Sequence, residues 1–212
     1  MTAPRYDLLR LLGSGGMAQV FEATAVADSG ISRRVAIKRI LPHLARDQSM
    51  RQLFFEEARV ASRLQHGSIV QVLDYGDVDG SQFIVMEFVH GLDAMTAVEH
   101  GRAAGTPIPE GVALHVTCAV AEALRYVHGL SDDDGVPLGV VHRDVSPHNV
   151  LLSWEGDVKL SDFGIALEKD RTMRTTAGIV RGKMAFLSPE QLRGERATSA
   201  SDVHALGAPL HA

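Results

Sequence analysis

Apolar and polar residues repeat at two different periods along the chain, and the change between them divides it. Leu8 to Leu12, a glycine cluster and then Val20-Phe21-Glu22-Ala23 predict strand, tight turn and strand. Val35-Ala36-Ile37-Lys38 is a further short strand rich in β-formers. Leu53, Glu57, Val60, Ala61 and Leu64 fall on one face at helical spacing, so that an acidic side chain sits among apolar neighbours. Ile69 to Leu73 and Phe83 to Phe88 predict two strands across a turn at Asp77-Val78-Asp79-Gly80. Residues 1–86 therefore read as a small antiparallel sheet with one helix. After Phe88-Val89-His90-Gly91 the pattern changes. Val112, Val116, Ala119, Val120, Ala123, Leu124 and Val127 mark a long amphipathic helix, with Pro109 suited to its first turn. Val150-Leu151-Leu152 and Val158-Lys159-Leu160 flank a turn at Glu155-Gly156, with Trp154 a partly exposed hairpin residue. Residues 165–187 are polar and carry Thr172, Thr175 and Thr176. No internal repeat or low-complexity tract interrupts this order.

The bulk figures narrow the class. A chain of 212 residues with 45% hydrophobic and 22% charged residues can bury one core or those of two small lobes. A net charge of −5 argues against a nucleic-acid or membrane-surface binder, whose footprint is basic. Cys118 is the only cysteine, so no intrachain disulfide forms and a reducing compartment is the natural reading. No run approaches the ~18 apolar residues of a membrane span, and Met1 to Tyr6 lacks the apolar stretch of a signal peptide. The expectation is a cytoplasmic protein.

The chemistry concentrates in two strings at a fixed separation: His142-Arg143-Asp144-Val145-Ser146-Pro147-His148-Asn149 and Asp162-Phe163-Gly164. They place two carboxylates and an amide in one strand–turn–strand unit. In-line phosphoryl transfer from a metal-bound nucleotide needs that set, one carboxylate to orient a hydroxyl and a second, with an amide, to hold Mg²⁺. Gly13-Ser14-Gly15-Gly16-Met17-Ala18-Gln19-Val20 reads either as a plain hairpin turn or as a loop whose N–H groups cover phosphates. A dinucleotide site fits less well, because a strand follows where that fold needs a helix. Lys38, on a strand among apolar residues, either pairs with Glu57 or snorkels to the surface. Asp132-Asp133-Asp134-Gly135 reads as a solvated turn, since counting Gly135 as the sixth position of a calcium loop puts Leu130 where an acidic ligand belongs. The ten histidines show no metal-binding spacing, and His142 reads as a packing residue beneath its loop.

Together these strings resemble the eukaryotic-type protein kinases, most closely the bacterial serine/threonine kinases, over residues 8 to about 208. The resemblance implies an α+β, bilobal fold: 1–86 as the N-lobe, 87–91 as the hinge and 92–212 as a partial, mainly helical C-lobe. It implies ATP and Mg²⁺ as cofactors and a protein substrate. Lys38 would contact the α- and β-phosphates and pair with Glu57, and Asp144 would orient the substrate hydroxyl. Asn149 and Asp162 would ligate Mg²⁺. Gly13 and Gly15 belong to the phosphate-covering loop. Leu12, Val20, Ala36 and Leu151 would sandwich the adenine, with Met86 as gatekeeper and the backbone at Glu87 and Val89 on the adenine edge. Asp93 matches the ribose-contacting position. Arg143 would answer a phosphate on Thr175 or Thr176, unless those threonines are only a polar loop.

Two departures stand out. The lysine that the family carries two residues after the catalytic aspartate is Ser146 here, and Lys183 stands where a threonine is usual. One reading is a swap, with Lys183 supplying the cation and Ser146 the hydroxyl; the other leaves Lys183 in solvent. Ser201 to Gly207 resembles the helix that anchors the catalytic loop, with Asp202 as its backbone clamp. Pro209 interrupts that helix. Only 22 residues follow Glu190, without the arginine expected to pair with it or the later helices of the larger lobe, so an exposed apolar surface is expected. Three functional classes follow: an active, autophosphorylating serine/threonine kinase, a nucleotide- or partner-binding pseudokinase, and a truncated fragment that does not fold.

Overall fold

A computed structural model describes residues 5–163 and 185–208, which form two compact units. The first comprises residues up to Gln65 together with Val70–Val89, and the second His66–Ile69 together with the chain from His90.

The first unit is built on a five-stranded antiparallel sheet of order β1-β2-β3-β5-β4. Its strands are β1 (Arg5–Ser14), β2 (Ala18–Val26), β3 (Ser32–Ile40), β4 (Val72–Val78) and β5 (Ser81–Glu87). Alternation gives each face a distinct role. Ala23, Ala25, Val35, Ile37 and Val85 form an apolar cluster on one face, covered by Tyr6, Leu73 and Phe83. Register places Val20 opposite Lys38, Glu22 and Met86 opposite Ala36, and Ile84 opposite Lys38, so these six side chains share the other face. Helix α1 (Gln48–Ala61) is started by Asp47, whose carboxylate accepts from the Ser49 and Met50 N–H groups. It buries Met50, Leu53, Phe54, Glu57 and Ala58, positions three and four apart along one stripe.

One strand differs from the sequence expectation. The fourth strand runs over Val72–Val78 and not Ile69–Leu73. Ile69 is buried in the second unit, bridging Leu160, while Ser68 carbonyl accepts the Leu160 N–H. An isolated apolar run does not reveal which core it enters. The turn then shortens to Asp79-Gly80, both at positive φ (52° and 78°), the mirror-image hairpin turn that matches strand twist.

The second unit pairs a three-stranded sheet with helices. Strands β6 (Gly91–Asp93), β7 (Val150–Ser153) and β8 (Val158–Leu160) are antiparallel. Helix α2 (Ala94–Ala103) is capped by Asp93, and α3 (Glu110–His128) begins one residue after Pro109, which is its N-cap and not part of its first turn. Only the C-terminal half of the α3 stripe is fully buried: Val120, Ala123, Leu124 and Val127 are inside, whereas Val112 is exposed. Asp132 closes a local turn by accepting from the Asp134 and Val136 N–H groups. Two short helices follow, α4 (Pro189–Leu192) and α5 (Ser199–Gly207). Lys183, Thr172, Thr175, Thr176 and Pro209 lie outside the described residues.

The glycines separate by what surrounds them. A Cβ on Gly91 would lie 1.8 Å from the Leu152 carbonyl oxygen, whereas one on Gly13 or Gly16 would meet nothing within 4 Å. Gly91→Ala is therefore expected to cost about 1–3 kcal/mol through forced backbone separation, and Gly13→Ala to leave stability unchanged. Denaturant melts of the two variants check this; equal midpoints would overturn it.

Candidate active site

In the first unit, the β1–β2 loop is closed by the Gly15 N–H donating to the Ala18 carbonyl at 2.9 Å, with Ala18 buried. Neither positive φ nor crowding by the rest of the unit requires glycine at Gly13 or Gly16. Lys38 Nζ lies 2.5 Å from Glu57 Oε1, and their side chains keep only 13% and 9% of their exposure. Held in so little water, the pair loses less to solvent screening than a surface pair and fixes where the ammonium points. Met86 lies opposite Ala36 in the register, two residues along β3 from Lys38, with Val20 opposite Lys38. Leu12 is exposed at the end of β1. The Glu87 N–H is committed to the Gln71 carbonyl and its side chain to the Gln71 N–H. Val89 is half-buried.

Glu22 was missed by the sequence reading. It is buried on the Ala36 face, accepts from Arg10 Nε at 2.7 Å and forms an ion pair with Arg34 Nη1 at 3.2 Å. An acidic residue at an inward strand position was the available signal.

In the second unit, Asp202 on α5 organises the loop that carries Asp144. Its carboxylate, 1% exposed, accepts the His142 N–H at 2.8 Å and the Arg143 N–H at 2.7 Å. His128 Nε2, from the last turn of α3, lies 2.8 Å from the same carboxylate. Arg143 adopts φ 71°, a left-handed conformation that a non-glycine residue keeps only when its surroundings hold it. His142 is fully buried against Phe163, ring centroids 4.6 Å apart. Its Nε2 meets the Ser161 carbonyl at 2.9 Å and its Nδ1 meets the Asp144 N–H at 3.3 Å. A carbonyl can only accept and an amide N–H only donate, so the ring is neutral and protonated on Nε2. Burial pushes the His142 pKa down from 6.5.

Asn149, at the end of a 3₁₀ turn over Pro147–Asn149, donates through Nδ2 to the Asp144 carbonyl at 2.7 Å and to Asp144 Oδ2 at 3.0 Å. That leaves Asn149 Oδ1 as the atom able to ligate a hard cation. Asp162 adopts φ 56°, which aspartate tolerates better than most residues. Asp93 and Leu151 are register partners, and the Asp93 carboxylate also caps α2 by accepting from the Thr96 N–H and Oγ1. Ser146 is 3% exposed, and its Oγ has no hydrogen-bond partner among the described residues. His128, Ser161 and Gln191 were not anticipated as loop supports. The Ser188-Pro189-Glu190-Gln191 string, a capping-box pattern, was the signal for the last.

Comparison with known proteins agrees with this geometry. The family model described as "Protein kinase domain" matches residues 6–212. The chain is 39% identical over 206 residues to "Tyrosine-protein kinase MasK" of Myxococcus xanthus, covering 97% of this chain and 32% of that protein. It is also 39% identical over 206 residues to "Serine/threonine-protein kinase PrkC" of Bacillus subtilis, covering 97% of this chain and 30% of that protein. The chain thus spans about a third of the length of these curated relatives. Among solved structures, a Mycobacterium tuberculosis PknI kinase domain superposes with a TM-score of 0.68 at 31% identity, covering 98% of this chain and 73% of that one.

The neutral His142 ring makes stability depend on pH. Because its folded pKa lies below 6.5, the unfolded chain takes up a proton first on acidification. This contribution is complete above about pH 6.5 and declines as pH falls below it toward the folded pKa. Denaturant midpoints at about pH 7.5 and 5.5 are expected to drop on acidification in the wild type, and to drop less in His142→Gln. An equal acid loss in both proteins would count against the assignment.

Proposed function

The chain belongs to the protein kinase domain family, and from that premise we propose that it transfers the γ-phosphoryl group of ATP, with Mg²⁺ as the divalent metal, to serine or threonine hydroxyls of proteins. The observation that carries this reading is the fixing of Asp144: His142 at its N–H, Asn149 at its carboxylate and carbonyl, and Asp202 at the two residues before it. Asp144 orients the acceptor hydroxyl and takes its proton as the new O–P bond forms, while the bond from phosphorus to the ADP oxygen breaks. Bound metal offsets the charge on the phosphates, and Asn149 Oδ1 and Asp162 are the residues that would hold it.

Lys38, aimed by Glu57, meets the α- and β-phosphates, and Gly13 and Gly15 let the β1–β2 loop approach them. Leu12, Val20, Ala36, Met86 and Leu151 provide the apolar surfaces for adenine. The backbone at Glu87 and Val89 meets the adenine edge. Asp93 takes the ribose. Lys183, we propose further, supplies the ammonium absent at Ser146; that the Ser146 hydroxyl has no partner among the described residues supports a polar neighbour there. Autophosphorylation on Thr175 or Thr176, answered by Arg143, belongs to the same reading. Among the described residues no helix is long and apolar enough to cross a membrane, and a net charge of −5 gives no nucleic-acid footprint. We place the domain in the cytoplasm.

Serine/threonine preference follows the relatives so named; MasK carries a tyrosine-kinase name. Phosphoamino-acid analysis of the product separates the two. Asp144→Asn is expected to lower transfer by about 10²–10⁴-fold while a nucleotide-induced thermal shift with Mg²⁺ persists. A shift without any transfer by the wild type would select the pseudokinase reading. For the exchanged pair, Lys183→Thr and Ser146→Lys should each lose activity and the double variant regain part of it; no recovery would end that proposal.

A further inference from the structure

The peptide unit joining Arg143 to Asp144 is gripped at both ends by side chains. At its N–H end His142 Nδ1 accepts from Asp144 at 3.3 Å. At its carbonyl end Gln191 Nε2 donates to the Arg143 oxygen at 3.1 Å. Gln191 is forty-eight residues away in sequence, on α4. Its Oε1 accepts from the Ser188 N–H at 3.1 Å and from Ser188 Oγ at 3.2 Å, and Ser188 is fully buried. Only one amide orientation satisfies all three contacts, because the Arg143 carbonyl can only accept and the Ser188 N–H only donate.

We propose that Gln191 is a positioning residue for phosphoryl transfer: its amide N–H fixes the Arg143 carbonyl, and with it the peptide plane from which Asp144 projects. The inference rests on the kinase reading above. Arg143 sits at φ 71°, so the backbone before Asp144 is held there by its partners and not by its own preference. Asp202 secures the Arg143 N–H on one side, and Gln191 secures the carbonyl on the other. Without that second contact the carbonyl end of the peptide plane loses its Gln191 anchor, while the long 3.3 Å bond to His142 still holds the N–H end. A small rotation there displaces the Asp144 carboxylate from the acceptor hydroxyl, and misplacement by ~1 Å can cost 10²-fold in rate. Gln191 touches neither substrate nor phosphate in this scheme.

Two substitutions divide its contacts. Gln191→Glu keeps an acceptor for Ser188, and glutamate suits this position of a capping box, but it sets an oxygen against the Arg143 carbonyl. Gln191→Lys keeps a donor for Arg143 and gives up the acceptor for Ser188. The expected result is that Gln191→Glu lowers kcat by tenfold or more, on the order of the effect of misaligning a catalytic group, with KM for ATP and the melting temperature near wild type. Gln191→Lys should retain more activity than Gln191→Glu despite a lower melting temperature. Amide hydrogen exchange over residues 143–145 should quicken in Gln191→Glu and not in Gln191→Lys.

Wild-type kcat in Gln191→Glu, or activity that follows melting temperature across both variants, overturns the proposal. Should Gln191→Glu fail to fold, Gln191→Lys with exchange as fast as an unfolded loop or activity no better than background overturns it equally. If the wild type transfers no phosphate, the kinase reading fails, and the exchange comparison still tests the Gln191 contact.

Discussion

A buried carboxylate is tolerable only when hydrogen bonds replace the water it has lost, and Asp202 meets that condition with two consecutive backbone N–H groups and a histidine nitrogen. The contacts reach back 60 and 59 residues to His142 and Arg143. Local propensity would not hold Arg143 in a left-handed conformation, so this long-range acceptor gives the loop its shape. Everything that prepares Asp144 follows from it: the His142 ring beneath, the Asn149 amide beside, and the Gln191 amide at the preceding carbonyl. A side chain on α5 with no chemistry of its own thus sets the geometry of the residue that has it.

The first unit reaches a comparable end by different means. There a regular sheet does the positioning, because a strand register places each side chain without a dedicated support. Val20, Ala36, Lys38, Ile84 and Met86 share a face since antiparallel partners point the same way. The two charged side chains on that face each have partners: α1 supplies Glu57, the one acidic residue in its buried stripe, to Lys38, and Arg10 and Arg34 meet Glu22. A loop site concentrates many buried polar contacts on one residue; a sheet site needs them only at its charged positions.

Much of this was legible beforehand. Leu53 and Glu57 of the α1 stripe, the Lys38–Glu57 pairing as one of two readings, the β7–β8 hairpin and the Asp202 clamp all rest on residues whose type and spacing restrict their partners. Val60 and Ala61, by contrast, are only half-buried, and Leu64 lies past the end of α1. The errors have a common cause. Ile69 was assigned to the strand beside it, and Pro109 to a first helical turn, because an apolar run or a proline permits either placement until the packing partner is known. His128, Ser161 and Gln191 went unread for a related reason, since ordinary polar residues acquire a role only from what faces them. Glu22 could have been found, because a carboxylate at an inward strand position demands cations.

The amino-acid order alone determined where β1 to β3, α1, α3 and the β7–β8 hairpin form, which residues are capable of acid–base and metal chemistry, and the family they resemble. Periodicity and side-chain type are local properties, so they survive in one dimension. Tertiary structure decided which core takes Ile69, which amide nitrogen faces Asp144, and which of many glutamines grips the Arg143 carbonyl. The Ile69 and Gln191 contacts join segments forty or more residues apart, and the Asn149–Asp144 contact spans five residues of irregular loop. In each, a hydrogen bond or packing contact depends on distances of tenths of an ångström that no spacing in the chain encodes.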